Sequence, residues 1–258
     1  MPAESFYEVV GSGRVRSTEH TVGPWAPTDQ HAGPPSALLV RAIEGVLPAG
    51  GRVSRVTVDL LGAVPVAELS VTAQVLRPGR SVQLATAELT AGGSLVARAT
   101  AWWHRASDTT AVAAAAEPPP WPDGATPEPV TWSEGGYLAA MEWVPVAGGF
   151  NQPGPATLWA RMRYPLVAGE EPTGLQRLLT LADSGNGASW RLDPARWLFV
   201  NTELTVHVLG QPTGEWLCLD ASTEIGVDGT GLAASSIFDR SGRVARGAQA
   251  LLIRPRTS

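Results

Sequence analysis

Two apolar segments of the sequence predict buried helices, one in each half of the chain. In residues 36–46, hydrophobic side chains occur on nearly every side of a helix, and Pro34 and Pro35 precede them in positions that suit a helix start. In residues 174–182, leucines again cover most of the helical circumference. Because apolar positions surround both segments, we expect two core helices rather than two surface helices.

Alternating hydrophobic and polar positions predict four strands after each helix. Turn signals such as Pro78-Gly79-Arg80 and Gly92-Gly93 separate them, at a spacing typical of an antiparallel meander. The predicted strands are residues 52–61, 68–77, 81–91 and 94–104 in the first half, and 198–209, 215–225, 231–238 and 243–254 in the second. One buried helix with such a sheet, twice over, predicts an α+β fold.

The two halves also match each other in sequence. Residues 53–78 align with residues 200–225 without a gap, so that Pro65 matches Pro212 and Glu68 matches Glu215. A stretch rich in Pro and Ala, residues 106–136, lies between them and is typical of a linker. We therefore predict a duplicated domain, with units at 1–105 and 137–258 joined by that linker.

Composition limits the chemistry of this chain. Its 258 residues carry a formal net charge of −5, which argues against a nucleic-acid partner. All 19 basic residues are arginine, which excludes Schiff-base and phosphate-loop lysine chemistry. Cys218 is the single cysteine and the four histidines are scattered, so we expect no disulfide, no metal site and no cofactor.

The sequence contains no apolar stretch long enough to span a membrane. Its first residues lack the positive and then apolar pattern of a secretion signal. We therefore expect a cytoplasmic location.

Three stretches resemble the acyl-CoA thioesterase II family and its thioesterase-like relatives. They are His31-Ala32-Gly33-Pro34-Pro35-Ser36-Ala37-Leu38-Leu39, then Val75-Leu76-Arg77-Pro78-Gly79-Arg80-Ser81-Val82-Gln83, and then the set Leu181-Ala182-Asp183, Asn201-Thr202-Glu203-Leu204-Thr205-Val206-His207 and Arg246-Gly247-Ala248-Gln249. The resemblance covers nearly the whole chain outside the linker. It implies a double hot-dog fold, in which each of two tandem domains is a buried helix wrapped by an antiparallel sheet.

The resemblance implies hydrolysis of acyl-CoA thioesters to a free acid and CoA, as in fatty acid metabolism. The family residues that hold and activate the hydrolytic water fall on Asp183, Thr202 and Gln249. Independently of the family, Asp183 ends an apolar helix, where partial burial favours its action as a base. A threonine hydroxyl and a glutamine amide can fix a water molecule. Since the repeat has Arg55 and Ala101 at the positions of Thr202 and Gln249, we expect one active centre per chain.

Further residues are candidates for substrate binding. The helix start at His31, Gly33 and Ser36 offers backbone N–H groups to a thioester carbonyl, although the intervening prolines have none. We expect His31 itself to be a loop residue or part of the wall of the acyl tunnel rather than a catalytic base. Arg77 and Arg80 flank a turn and are candidates for contact with the CoA phosphates.

Three alternative functions remain open. The first is hydration or dehydration of an enoyl thioester on the same scaffold, although the histidine that follows the aspartate in hot-dog hydratases is missing after Asp183. The second is non-catalytic binding of acyl thioesters. The third is action on acyl chains bound to a carrier protein, which the acidic charge of this chain disfavours. We also expect a homo-oligomer, because exposed sheet edges and ten tryptophans favour subunit contacts.

Overall fold

The computed structural model describes residues 4–114, 116–122 and 124–256. Two core helices lie side by side within an antiparallel sheet, so the architecture is α+β. The helices are α1 (Gly33–Val46), α2 (Gly136–Ala139), α3 (Gly174–Ala182) and α4 (Gly185–Ala188). Among the described residues, no helix is long and apolar enough to cross a membrane.

Thirteen strands of the described residues form one sheet. The strands are β1 (Tyr7–Gly11), β2 (Arg14–Ser17), β3 (Gly51–Leu60), β4 (Glu68–Arg77), β5 (Val82–Ala91), β6 (Ser94–Arg105), β7 (Met141–Ala147), β8 (Ala156–Met162), β9 (Trp197–Asn201), β10 (Glu203–Val208), β11 (Leu217–Ile225), β12 (Thr230–Asp239) and β13 (Gly242–Pro255). Their order is β1-β2-β4-β5-β6-β3-β10-β13-β12-β11-β8-β7, and β9 pairs with β13. The two halves therefore join through the antiparallel pair of β3 and β10.

Helix α1 begins at Gly33, three residues earlier than the pattern predicts, whereas the bounds of α3 agree with the prediction. Pro34 and Pro35 lie in the first turn of α1, where a missing N–H breaks no hydrogen bond. The hydroxyl of Thr173 accepts the N–H of Gln176 at 3.1 Å and caps the start of α3.

The two core helices run in opposite directions. At one end, Gly33 of α1 packs so closely on α3 that a Cβ there would overlap the Thr180 carbonyl oxygen. At the other end, Glu44 of α1 accepts hydrogen bonds from the Thr173 hydroxyl at 2.9 Å and from the Gln176 amide at 2.7 Å. The start of α1 therefore lies beside the end of α3.

The predicted strand 198–209 is interrupted at Thr202. Strand β9 ends at Asn201 and β10 begins at Glu203. The Thr202 N–H donates to the Ala250 carbonyl at 3.0 Å, and its own carbonyl accepts from the Leu60 N–H at 3.0 Å. Thr202 thus lies between two strands at the junction of the two halves rather than within one long strand.

Residues of the Pro- and Ala-rich stretch pack on the side of the sheet opposite the main core. The ring of Trp121 lies 4.9 Å from that of Trp216 and 5.7 Å from that of Trp159. The Arg240 guanidinium lies 4.5 Å from the centre of the Trp121 ring, within range of a cation–π interaction. This part of the stretch therefore covers the second half of the sheet as well as connecting the halves.

Candidate active site

A cavity of about 560 Å³ lies where the two halves meet. The first half contributes the loop before α1 and the loop after β3. The second half contributes the loop after α3, the β9–β10 junction and the end of β13. Apolar side chains form much of the wall, among them Leu60, Val64, Leu138, Phe150, Val200 and Leu252. The polar part of the wall includes His31, Asp183, Asn186, Asn201 and Thr202, together with Asp29, Gln30 and Arg254.

Asp183 terminates α3 and directs its carboxylate to this cavity. The side chain is only 4 % exposed, at a helix end whose carbonyl groups disfavour negative charge. Two amides offset this cost at one oxygen, because Oδ1 accepts from Asn201 Nδ2 at 2.8 Å and from Gln249 Nε2 at 3.1 Å. The other oxygen, Oδ2, faces His31.

Gln249 lies behind Asp183 and is only 2 % exposed. Its Nε2 also donates to the Asp183 carbonyl oxygen at 3.0 Å, while its Oε1 accepts the Asn186 N–H at 3.0 Å. Both ends of the amide are therefore engaged with the loop that follows α3. Gln249 does not line the cavity, so it contacts Asp183 rather than the cavity interior.

Thr202 lines the cavity together with Asp183. Its hydroxyl is 3.4 Å from the Ala250 carbonyl oxygen, a long hydrogen bond that leaves the hydroxyl oxygen able to accept. The sequence-predicted triplet is thus brought to one region, with Asp183 and Thr202 on the cavity wall and Gln249 behind the carboxylate.

His31 adds an imidazole to the site from the other half of the chain. Its Nδ1 lies 3.3 Å from Asp183 Oδ2 and accepts the Gly33 N–H at 3.1 Å. Burial lowers the pKa of His31 from the ordinary value of 6.5, and the nearby Asp183 carboxylate opposes this change.

The ring of Tyr137 supports His31. The two rings stack with centroids 3.8 Å apart and planes 11° from parallel. The Tyr137 hydroxyl donates to the Thr180 carbonyl at 2.8 Å and lies 2.8 Å from Ser184 Oγ. Burial raises the pKa of Tyr137 well above its ordinary value, so its hydroxyl keeps its proton.

The other sequence-predicted binding residues lie outside the cavity. The Ser36 N–H and hydroxyl both donate to the Ala32 carbonyl, at 3.0 and 2.6 Å, and the Gly33 N–H is engaged with His31. Arg77 and Arg80 lie at the turn between β4 and β5, where Arg77 donates to the Val82 carbonyl. The arginine that does line the cavity is Arg254.

Sequence reasoning missed three residues of this site. Asn201 directly precedes Thr202 and Asn186 lies three residues after Asp183, so proximity to the candidate residues was an available signal. Tyr137 comes from a segment with no recognisable pattern.

In the described residues, no group of three or more His, Cys, Asp and Glu side chains is placed to hold a metal ion.

Comparison with known proteins identifies the family. Residues 21–104 match a family model described as the acyl-CoA thioesterase N-terminal domain, and residues 110–253 match one described as the acyl-CoA thioesterase C-terminal domain. The chain belongs to the acyl-CoA thioesterase family. Its family is therefore one of thioester hydrolases. No curated protein matches the sequence.

Solved structures confirm the double hot-dog fold. A presumed thioesterase from Novosphingobium aromaticivorans DSM 12444 is 22% identical, with a TM-score of 0.72 over 97% of this chain and 99% of its own. A hot-dog protein from Alicyclobacillus acidocaldarius is 16% identical, with a TM-score of 0.71 over 97% and 96%. An acyl-CoA thioesterase II from Mycobacterium marinum is 17% identical, with a TM-score of 0.68 over 98% and 96%.

Proposed function

We propose that this protein hydrolyses acyl-CoA thioesters to a free acid and CoA, with Asp183 as the base that activates water. The observation that carries the proposal is the nearly buried Asp183 carboxylate on the wall of the cavity, with one oxygen fixed by two amides. A carboxylate that is held in one orientation and shielded from bulk water is suited to take a proton from a bound water molecule.

Within this proposal the three predicted residues have different tasks. Asp183 takes the proton, and Thr202 holds the water from the cavity wall through its hydroxyl. Gln249 is a positioning residue, because its amide is occupied by Asp183 and by the Asn186 N–H. This differs from a triplet in which all three side chains touch the water.

Asn186 is our candidate for polarising the thioester carbonyl. It lines the cavity, and its Nδ2 makes only a long 3.5 Å hydrogen bond, to the Phe199 carbonyl. Its second N–H can therefore donate to the oxyanion that forms when water adds. This assignment replaces the start of α1, where the Gly33 and Ser36 N–H groups already have partners.

The cavity also supports an assignment of the two ends of the substrate. We place the acyl chain along the apolar wall that includes Leu138 and Phe150. Arg254, exposed on the last strand and lining the cavity, is our candidate for contact with a CoA phosphate, in place of Arg77 and Arg80. A homo-oligomer and a cytoplasmic location stay predictions.

The test is thiol release from acyl-CoAs of graded chain length. We expect turnover by the wild type and a loss of about 1,000-fold or more in kcat for Asp183→Asn, which keeps the shape but cannot act as a base. Asp220→Asn is the matched control, since Asp220 is exposed on β11. Binding of acyl-CoA without turnover by the wild type would identify a non-catalytic binding protein and refute the proposal.

A second candidate function is hydration of an enoyl thioester. The observation that favours it is the imidazole of His31 beside Asp183. His31 comes from the other half of the chain and supplies the histidine that the sequence lacks shortly after Asp183. Loss of the conjugated enoyl absorbance of an enoyl-CoA without thiol release would support hydration. Thiol release without loss of that absorbance would exclude it.

A further inference from the structure

The carboxylate of Asp183 has two oxygens in unlike surroundings. Oδ1 accepts from two side-chain amides, Asn201 and Gln249. Oδ2 instead lies 3.3 Å from Nδ1 of His31, a side chain that is itself only 11 % exposed. The proton taken up by Asp183 therefore has an immediate acceptor on the oxygen that the amides leave open.

The hydrogen bond that the His31 ring accepts from Gly33 indicates the tautomer of the neutral ring. Because Nδ1 accepts the Gly33 N–H, Nδ1 carries the lone pair and the neutral ring carries its proton on Nε2. Burial lowers the pKa of His31, which favours this neutral form at neutral pH. Within the described residues, Nε2 has no hydrogen-bond partner, and it is not among the fully buried polar atoms that lack one. A molecule in the cavity can therefore reach it. Since His31 lines the cavity, Nε2–H is available to a bound molecule.

Tyr137 holds the ring in this position and is itself anchored at the end of α3. Tyr137 stacks on His31 at 3.8 Å, and its hydroxyl is fixed by Thr180 and Ser184 at the end of α3. A stacked and anchored ring cannot turn freely, so the Nδ1 side stays towards Asp183 and the Nε2 side stays away from it.

We propose that His31 is a catalytic residue that protonates the leaving thiolate through Nε2, and that Asp183 restores the proton through Nδ1. The inference rests on the proposed thioester hydrolysis and adds the acid to the base already assigned. The first half of the chain then supplies the acid, His31, and the second half supplies the base, Asp183.

The proton balance closes without any further reactant. A water oxygen bonds to the carbonyl carbon while one water proton moves to Asp183 Oδ2. When the carbon–sulfur bond breaks, the sulfur keeps the electron pair and takes the proton from His31 Nε2. The proton on Asp183 moves to Nδ1. The neutral ring then carries its proton on Nδ1, and proton exchange with solvent returns that proton to Nε2 and restores the resting state. One thioester and one water thus give one carboxylic acid and one thiol.

The test compares two thioesters that share an acyl group and differ in the leaving thiol. The alkyl thiolate of CoA is the more basic of the two and gains more from protonation as it leaves, whereas the thiolate of 4-nitrothiophenol is stable enough to leave unaided. We expect His31→Gln to lose about 100-fold or more in kcat on the acyl-CoA and to change little on the aryl thioester. His20→Gln is the matched control, because the His20 ring stacks on Tyr164 at 3.9 Å and 11° in a similar way. We expect this control to leave both rates unchanged.

Each outcome has one meaning. Equal losses on both substrates would show that His31 only maintains the structure, and no loss on either would show that it has no part; both would overturn the inference. A wild type that hydrolyses neither thioester would refute the proposed function itself.

If His31→Gln does not fold, a second measurement on the wild type alone tests the inference. It uses a series of thioesters that differ only in the leaving thiol. We expect a weak dependence of kcat on the thiol's pKa, and a steep dependence would refute protonation of the sulfur.

Discussion

The reactivity that we assign to Asp183 depends on a difference between the partners of its two oxygens. Amides of Asn201 and Gln249 satisfy Oδ1, while Oδ2 faces His31 across 3.3 Å. An amide N–H cannot accept a proton, whereas an imidazole nitrogen can. The surroundings of this one side chain therefore determine which oxygen is fixed and which takes part in proton transfer.

Gln249→Ala tests the fixed side of Asp183. The variant removes one of two donors to Oδ1 and leaves the buried Asn186 N–H without its acceptor. We expect kcat to fall by about 10- to 100-fold and the free energy of unfolding to fall by about 1–3 kcal/mol. Thiol release and urea unfolding measure the two effects. Gln83→Ala is the control, since Gln83 donates to the Gly79 carbonyl at 2.9 Å far from the cavity, and an equal loss of activity there would contradict the assignment.

The lowered pKa of His31 predicts the pH dependence of stability. Because burial lowers it in the folded state, the unfolded chain binds more protons at this residue, and stability decreases as the pH falls below the ordinary value of 6.5. Asp183, the charged group that faces the ring, reduces this effect but does not reverse it. We expect wild type to lose more unfolding free energy than His31→Gln on acidification, as measured by urea titrations at several pH values. Parallel curves for the two proteins would contradict this prediction.

At the level of secondary-structure elements, the antiparallel packing of α1 and α3 creates the site. It places the start of one helix, with His31 and Gly33, beside the end of the other, with Asp183. The close approach at Gly33 determines how near the two ends come. Catalytic geometry therefore depends on a glycine that itself transfers no proton.

Gly33→Ala tests this dependence. The added methyl group overlaps the Thr180 carbonyl oxygen, so the helices must separate, and we expect a loss of about 1–3 kcal/mol in unfolding free energy together with a large fall in kcat. Gly45→Ala lies in the same helix, and its added methyl group meets nothing within 4 Å. We expect that control to keep full activity and to gain about 0.5–1 kcal/mol. Similar behaviour of the two variants in urea unfolding and thiol release would rule out a special role for Gly33.

Most elements could be predicted because their signals are local. Periodicity and turn residues locate the strands that follow the two core helices to within about two residues at most ends, as for Glu68–Arg77, and they locate α3, but they do not locate the strands that precede each helix. The interruption at Thr202 could not be predicted, because it arises from strand pairing between distant segments. Strand β9 pairs with β13, whereas β10 pairs with both β13 and β3. The approach of His31 to Asp183 is also non-local, since it depends on how two distant helices pack, and the sequence gives no measure of that distance.

At the level of the whole molecule, the second half has a face that is covered by the Pro- and Ala-rich stretch, which a linker alone would not do. Trp121 packs on Trp216 and Trp159 and lies beneath Arg240. The cavity lies elsewhere, between the halves, and is bordered at its mouth by Trp132, which is 51% exposed. Two tryptophans on the same connecting segment therefore belong to different parts of the molecule.

Paired substitutions separate these two roles. We expect Trp121→Ala to lower the unfolding free energy by about 2 kcal/mol, because it uncovers apolar rings of the sheet, and to leave kcat and KM unchanged. We expect Trp132→Ala to raise KM for acyl-CoA with little change in stability. Urea unfolding and steady-state kinetics on both variants test this contrast. Loss of activity in Trp121→Ala without unfolding would disprove the separation.

The opposed directions of the core helices have a consequence for redesign. Each end of the helix pair combines one helix start with one helix end, so the ends are comparable frameworks. At the end opposite Asp183, Glu44 accepts from Thr173 and Gln176 with both oxygens, and the repeat position of Gln249 is the buried Ala101. The first repeat therefore lacks the amide that holds Asp183, and a second centre at the opposite end of the helix pair would first need a polar side chain at position 101.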